Sequence, residues 1–149
     1  MDFTVKHFNE LTTAELYEIL KTRAEIFVVE QECVYQDLDD KDQDAFHVFC
    51  RNEHGRVTGC LRVFPKDPYM EPGVVQIGRV ATLEHGKGLG GQLLHEGVRV
   101  AAEKLKAGKI YLEAQEYATG YYAKEGFKVV SEPFLEDGIP HVKMERSME

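Results

Sequence analysis

The stretch VVQIGRVATLEHGKGLGGQLL, residues 74–94, constrains this 149-residue chain more than any other. Residues 74–82 form an apolar, β-branched run that reads as a strand. From Gly88 onward apolar residues fall at 89, 93, 94, 98, 101, 102 and 105, one face of a helix that Gly108 ends. Between strand and helix lies HGKGLGG, with four glycines in seven residues. Glycine is costly to order, and a plain turn without a ligand needs one or two. In such a loop backbone N–H groups can close on an anion, and the helix N-terminus adds a favourable dipole.

A P-loop is excluded, because Lys87 is followed by glycine instead of Ser or Thr. Gly86, Gly88 and Gly91 also fit the G-x-G-x-x-G of a dinucleotide fold, and Glu113 follows 22 residues later at a strand end. Against that, Leu83, Glu84 and His85 intervene where the dinucleotide turn is tight. Only 58 residues follow Gly91, too few for a doubly wound sheet. A pyrophosphate cradle helped by Lys87 is favoured over the dinucleotide turn and over a plain turn without a ligand.

The net charge of −8 argues against sequence-independent nucleic-acid binding, which needs a basic footprint. An anionic ligand must therefore be held by local donors. There is no apolar run near 18 residues and no signal-peptide pattern at the start, so the expectation is a cytoplasmic protein without membrane contact. Three cysteines (Cys33, Cys50, Cys60) without a CxxC predict free thiols. Asp40-x-Asp42-x-Asp44 begins like a calcium loop, but Ala45 and Arg51 stand where Gly and Glu are required, so no metal is expected. The acidic segment 30–45 reads either as a lure for a cationic amine or as a solvated loop.

Elsewhere, DFTVKHF alternates as a strand. Thr12-x-x-Glu15 is a capping box opening a helix from about 13 to about 29. FHVFCR and RVTGCLRVF flank a turn at Gly55; KDPYMEPG reads as a loop. KIYLEA is a strand, TGYYAKEGF a short helix stopped at Gly126, and FKVVSEP and PHVKMER two closing strands around EDGI. The order β-α-loop-β-β-β-α-β-α-β-β predicts a single α/β domain: a mixed, mostly antiparallel sheet with helices on both faces.

VVQIGRVATLEHGKGLGGQLL, YLEAQ and YYAKEGF together resemble the GNAT superfamily of acyl-CoA N-acetyltransferases. His85-x-x-Gly88-x-Gly90 stands at the family's [QR]-x-x-G-x-[GA], and Tyr122-Ala-Lys-Glu-Gly126-Phe127 at its Tyr-x-x-x-Gly-Phe. The segments 10–47 and EDGIPHVKM look like the ElaA-type branch, which suggests a bacterial source. The resemblance implies six to seven strands, with the fourth and fifth splayed around acetyl-CoA. It places Val80, Ala81 and Thr82 along the pantetheine arm and Gly86, Lys87, Gly88, Leu89, Gly90 and Gly91 around the pyrophosphate. Tyr122 would aim its hydroxyl at the thioester sulfur. His85 departs from the usual Gln or Arg, and Gln115 from a frequent Asn.

Acetyl transfer to a small-molecule or peptide amine needs a base, because an amine with pKa about 10.4 arrives charged. Glu113, His47, Glu30 and an ordered water are the alternatives. The backbone N–H near Val80 is the oxyanion donor that the resemblance implies. Tyr122 can protonate the departing thiolate, although one of Tyr121 and Tyr122 could be simply core. Arg79 could bind substrate or pair with an acid, and His141 reads as structural. No Cys/His pair suggests a covalent route, so direct attack in a ternary complex is expected. The rival from another class is an acyl-CoA-binding module without turnover. A monomer or a homodimer is compatible with the chain.

Overall fold

The computed structural model describes residues 2–33 and 35–148. Among them, eight strands form one sheet: β1 (Thr4–His7), β2 (Phe46–Arg51), β3 (Val57–Asp67), β4 (Glu71–Thr82), β5 (Lys109–Gln115), β6 (Lys128–Val129), β7 (Phe134–Glu136) and β8 (Ile139–Ser147). Their order is β1-β2-β3-β4-β5-β8-β6, with β7 also paired to β8. Every pairing is antiparallel except β4–β5. Six to seven strands were expected; the count rises to eight because FKVVSEP does not form one strand. Its first part pairs for two residues as β6, and β7 starts only at Phe134. Asp137 and Gly138, both at positive φ, close β7 onto β8 as an Asp-Gly hairpin turn.

KDPYMEPG is also not a loop. β3 and β4 run to Asp67 and from Glu71, leaving three residues at the turn. Pro65 fits because the ladder register slips between Pro65 and Asp67, where a missing N–H is tolerated.

Strand alternation builds two cores. Val48, Leu61, Val63, Val75 and Ile77 face α2 (Leu89–Lys104), whose Leu93 and Leu94 are fully buried. Their neighbours Phe49, Cys60 and Ala81 face the opposite way, toward Ile19 of α1 (Thr13–Arg23). Helices thus cover both faces, as the element order predicts. Gly97 makes the α2 contact possible, since a Cβ there would sit 2.9 Å from Leu61 Cδ2.

The capping box at Thr12 forms as expected: Glu15 N donates to Thr12 Oγ1 at 3.1 Å and Thr12 N to Glu15 Oε1 at 2.8 Å. The helix then changes character. After Arg23 it widens into a π-helix, Ala24–Glu30, with Gln31 N bonded to Ile26 O at 3.0 Å. Such segments concentrate at functional sites, and Phe27 and Glu30 here face a cleft.

Two backbone features open that cleft. β4 and β5 pair only at Val74–Lys109, Val75–Ile110 and Gln76–Tyr111, then diverge. Cys60 pairs with Ala81 but Arg62 with Gly78, so β4 carries one extra residue at Arg79–Val80. This is a β-bulge, with Arg79 at φ 51°. The bulge inverts the alternation: Ile77 faces α2 whereas Ala81, four residues on, faces α1.

Candidate functional site

The diverging strands enclose a cleft of about 990 Å³ that runs between the two faces of the sheet. On the α2 side stands the glycine loop. Gly86 (φ 81°) and Gly88 (φ 77°) are left-handed, which side chains disfavour. Nothing lies within 4 Å of where a Cβ would sit at Gly86, Gly88 or Gly91. Gly88 caps α2 without any side-chain hydrogen bond, and no acidic residue lies in the first turn. The leading N–H groups therefore face open space with their dipole uncompensated, which suits a phosphate group.

The expected cofactor residues divide. Val80, Thr82, Gly86, Gly88, Leu89, Gly90 and Gly91 all border the cleft. Ala81 does not: the bulge turns its side chain into the α1 core, leaving only its backbone for a ligand. Lys87 is exposed and stands off the cleft wall. Leu89 is 2 % exposed, so its side chain anchors the helix.

The two tyrosines of α3 (Thr119–Ala123) separate cleanly. Tyr121 packs on Gly90 and donates its hydroxyl to the Gly90 carbonyl at 2.5 Å. Tyr122 packs edge-on to Tyr121 and Phe127, lines the cleft, and among the described residues its hydroxyl has no hydrogen-bond partner. Burial pushes the Tyr122 hydroxyl well above the ordinary phenol range, so it is protonated at neutral pH.

The candidate bases also separate. His47 is 1 % exposed, its Nε2 lies 3.0 Å from the Asp42 carbonyl oxygen, and burial lowers its pKa; it does not reach the cleft. Glu30 borders the cleft at its rim, 3.9 Å from His85 Nε2, with both side chains more than half exposed. Glu113 faces the cleft and accepts the Tyr111 hydroxyl at 2.7 Å. Gln115 donates to Gln31 at 3.1 Å, tying the end of β5 to the end of the π-helix.

Part of the acidic segment is neutralised within the protein, while Glu30, Glu32, Asp40 and Asp44 stay exposed. Arg23 binds Asp42 at 2.7 Å and Asp37 at 3.1 Å. Arg62 binds Asp39 at 2.6 Å and Asp42 at 3.0 Å. Arg79 Nε lies 2.8 Å from Asp37 Oδ1, outside hydrogen-bonding alignment, and its guanidinium stacks on Tyr35. Arg79 therefore pairs with an acid. Three guanidiniums neutralise Asp37, Asp39 and Asp42, and the Arg62 pairing holds Asp39 far below the usual carboxylate range. Asp42, the middle residue of the calcium-like pattern, is consumed by two arginines. The cysteines are free and buried as expected.

Two cleft residues escaped sequence reasoning. Ile110, Leu112 and Ala114 enter the α2 core, so Tyr111, Glu113 and Gln115 face the other way. Gln115 pairs with His141 across β5–β8, and Phe134 with His141 across the β7–β8 hairpin. This register brings Glu136 and His141 to the face that carries Glu113. The Asp137-Gly138 dipeptide was the signal for that hairpin.

The acetyltransferase (GNAT) domain family matches residues 11–148. Protein ElaA of Escherichia coli is 35% identical over 95% of this chain and 94% of its own length. A UPF0039 protein of the fission yeast Schizosaccharomyces pombe is 37% identical over 97% and 95%, so such relatives are not confined to bacteria. Among solved structures, an acyl-CoA N-acyltransferase from Pseudomonas aeruginosa superposes with TM-score 0.88 at 41% identity, covering 99% of this chain and 100% of that one. The crystal structure of Escherichia coli ElaA superposes with TM-score 0.90 at 32% identity, covering 98% and 99%. With the splayed strands, the glycine loop and these likenesses together, the chain belongs to the ElaA-like branch of the GNAT acetyltransferases.

Proposed function

We propose that this protein is an acetyl-CoA-dependent N-acetyltransferase that acts by direct attack of an amine in a ternary complex. The N–H groups of Gly86, Gly88, Gly90 and Gly91 hold the pyrophosphate of acetyl-CoA, and Val80 and Thr82 border its pantetheine arm. Acetyl-CoA brings the activated acyl group. The Val80 N–H, at a bulge where the ladder register leaves Arg79 and Val80 without partners, offers a donor to the oxyanion. Tyr122 gives its proton to the departing thiolate. The observation that carries this reading is the Tyr122 hydroxyl: protonated, unpartnered, and in the same cleft as the glycine loop.

The test is a screen of amines for acetyl-CoA consumption, followed by Tyr122→Phe. General acid catalysis contributes about 10²–10⁴-fold, so turnover should fall by at least about 100-fold with acetyl-CoA affinity unchanged. Unaltered turnover would remove Tyr122 from the mechanism. A chain that binds acetyl-CoA but acetylates no amine would be the binding module instead. Stabilisation against heat by NAD and not by acetyl-CoA would overturn the assignment of the loop.

A further inference from the structure

The side of the cleft away from the glycine loop holds a second constellation, from β5, β7 and β8. Glu113 of β5 receives the Tyr111 hydroxyl at 2.7 Å. Glu136 of β7 lies on the same face of the sheet, and burial and the neighbouring Glu113 carboxyl raise its pKa. His141 of β8 is 9 % exposed, and its Nδ1 sits 2.8 Å from the Ile139 carbonyl. A carbonyl only accepts, so Nδ1 donates its hydrogen there and Nε2 is left for another partner. That Nε2 has no hydrogen-bond partner among the described residues and stands 3.6 Å from Glu136 Oε2. All four side chains border the cleft.

We propose that Glu113 and Glu136 bind the acceptor as its ammonium ion and take its proton, with His141 passing that proton onward. The proposal rests on the acetyltransferase reading above and adds the acceptor class: primary alkyl amines and diamines, not α-amino acids. An ammonium can be held between two neighbouring carboxylates. An acceptor carboxylate beside the reacting nitrogen would instead meet Glu113, Glu136 and Asp137 together. Of the nearby cations, Lys66 is paired with Glu71 and lies over the Tyr111 ring, Arg79 is held by Asp37 and Asp39, and Lys143, opposite Glu113 in the β5–β8 ladder, is exposed to solvent.

The proton count closes. The ammonium gives one proton to the carboxylate pair, and the nitrogen lone pair forms the C–N bond to the thioester carbon. The C–S bond breaks, and the thiolate takes a proton from Tyr122. The nitrogen then loses its second proton, which restores Tyr122, while the first leaves through His141 to water. One proton is released per acetyl group transferred.

The experiment compares wild type, Glu136→Gln, Glu113→Gln and His141→Asn with 1,5-diaminopentane, hexylamine and a set of α-amino acids as acceptors. Binding of 1,5-diaminopentane to the CoA-saturated protein is measured in parallel by calorimetry. The expected result is that wild type acetylates the diamine and hexylamine in preference to amino acids. Either Gln variant should then lose about 100-fold in kcat/KM for the amine, the scale of a lost general base, with KM for acetyl-CoA unchanged. Diamine binding should weaken at least tenfold in the same variants. His141→Asn should move the acidic limb of the kcat/KM pH profile while leaving diamine binding within twofold. The proposal is overturned if both Gln variants keep amine kcat/KM within twofold, if α-amino acids are preferred, or if the CoA complex binds no diamine. Failure of acetyl-CoA to bind wild type would instead overturn the acetyltransferase reading.

Discussion

Two acidic groups, one reaching the cleft through Asp39 and the other through Glu113 and Glu136, have opposite electrostatic situations. Asp37, Asp39 and Asp42 are held by three guanidiniums, two of them almost fully buried. Glu113 and Glu136 lie beside His141, with an exposed Lys143 opposite Glu113 in the ladder, and burial together with Glu113 raises the affinity of Glu136 for a proton. What separates them is the counter-charge, not the density of acid. A neutralised cluster fixes the 31–45 segment against β3 and β4. A cluster left short of cations is ready to accept a proton or an ammonium ion.

The largest expected effect tests the neutralised group. Arg23→Ala should destabilise the fold by about 3–5 kcal/mol, because Asp42 would stay buried short of a cation. Urea denaturation measures it, and a loss under 1 kcal/mol would mean Arg62 alone suffices. Next comes the tyrosine pair: Tyr122→Phe should remove about 100-fold of turnover with little loss of stability. Tyr121→Phe should do the reverse, losing about 1 kcal/mol with its bond to Gly90 while catalysis persists. Equal kinetic effects in both variants would erase the distinction between them. Gly88→Ala imposes a Cβ at φ 77° and should lower acetyl-CoA affinity roughly tenfold, matching a strain of about 1–2 kcal/mol.

The smallest effects address pH, where the two groups have opposite signs. The folded protein depresses Asp39, so its contribution is complete above the unfolded carboxylate value, near pH 4, and vanishes as pH falls through the lower folded value. Glu136 is raised, so the folded state retains a proton the unfolded chain releases, and stability falls as pH climbs through that window. Glu136→Gln should therefore raise stability at neutral pH by a small amount, on the order of 0.5 kcal/mol at this half-exposed site, while impairing amine turnover. Thermal melts from acid to neutral pH would show it. A variant less stable than wild type would mean that Glu136 serves structure.

Local signals were legible. Thr12 and Glu15 announce their helix, and the glycines of HGKGLGG announce a loop of unusual backbone conformation. The spacing of Tyr122 from Gly126-Phe127 marks the tyrosine. Other features had no local signal. The helix pattern through Ala24–Glu30 looks the same whether it winds as α or π. Pro68 and Pro72 argue for a loop, yet only Pro68 lies in the turn and β4 runs through Pro72, because pairing with neighbours outweighs local preference.

By itself, the sequence determined the order of elements, the two-sided sheet, the glycine loop and the family. These rest on periodicity, caps and backbone freedom, which act over a few residues. The tertiary structure alone decided three things: which side of β4 Ala81 faces, which acids are neutralised, and which are left in the cleft. The first depends on a bulge defined by pairing with β3. The others depend on partners such as Arg62 with Asp39 and His141 with Glu136, held by sheet register and packing that local sequence does not encode.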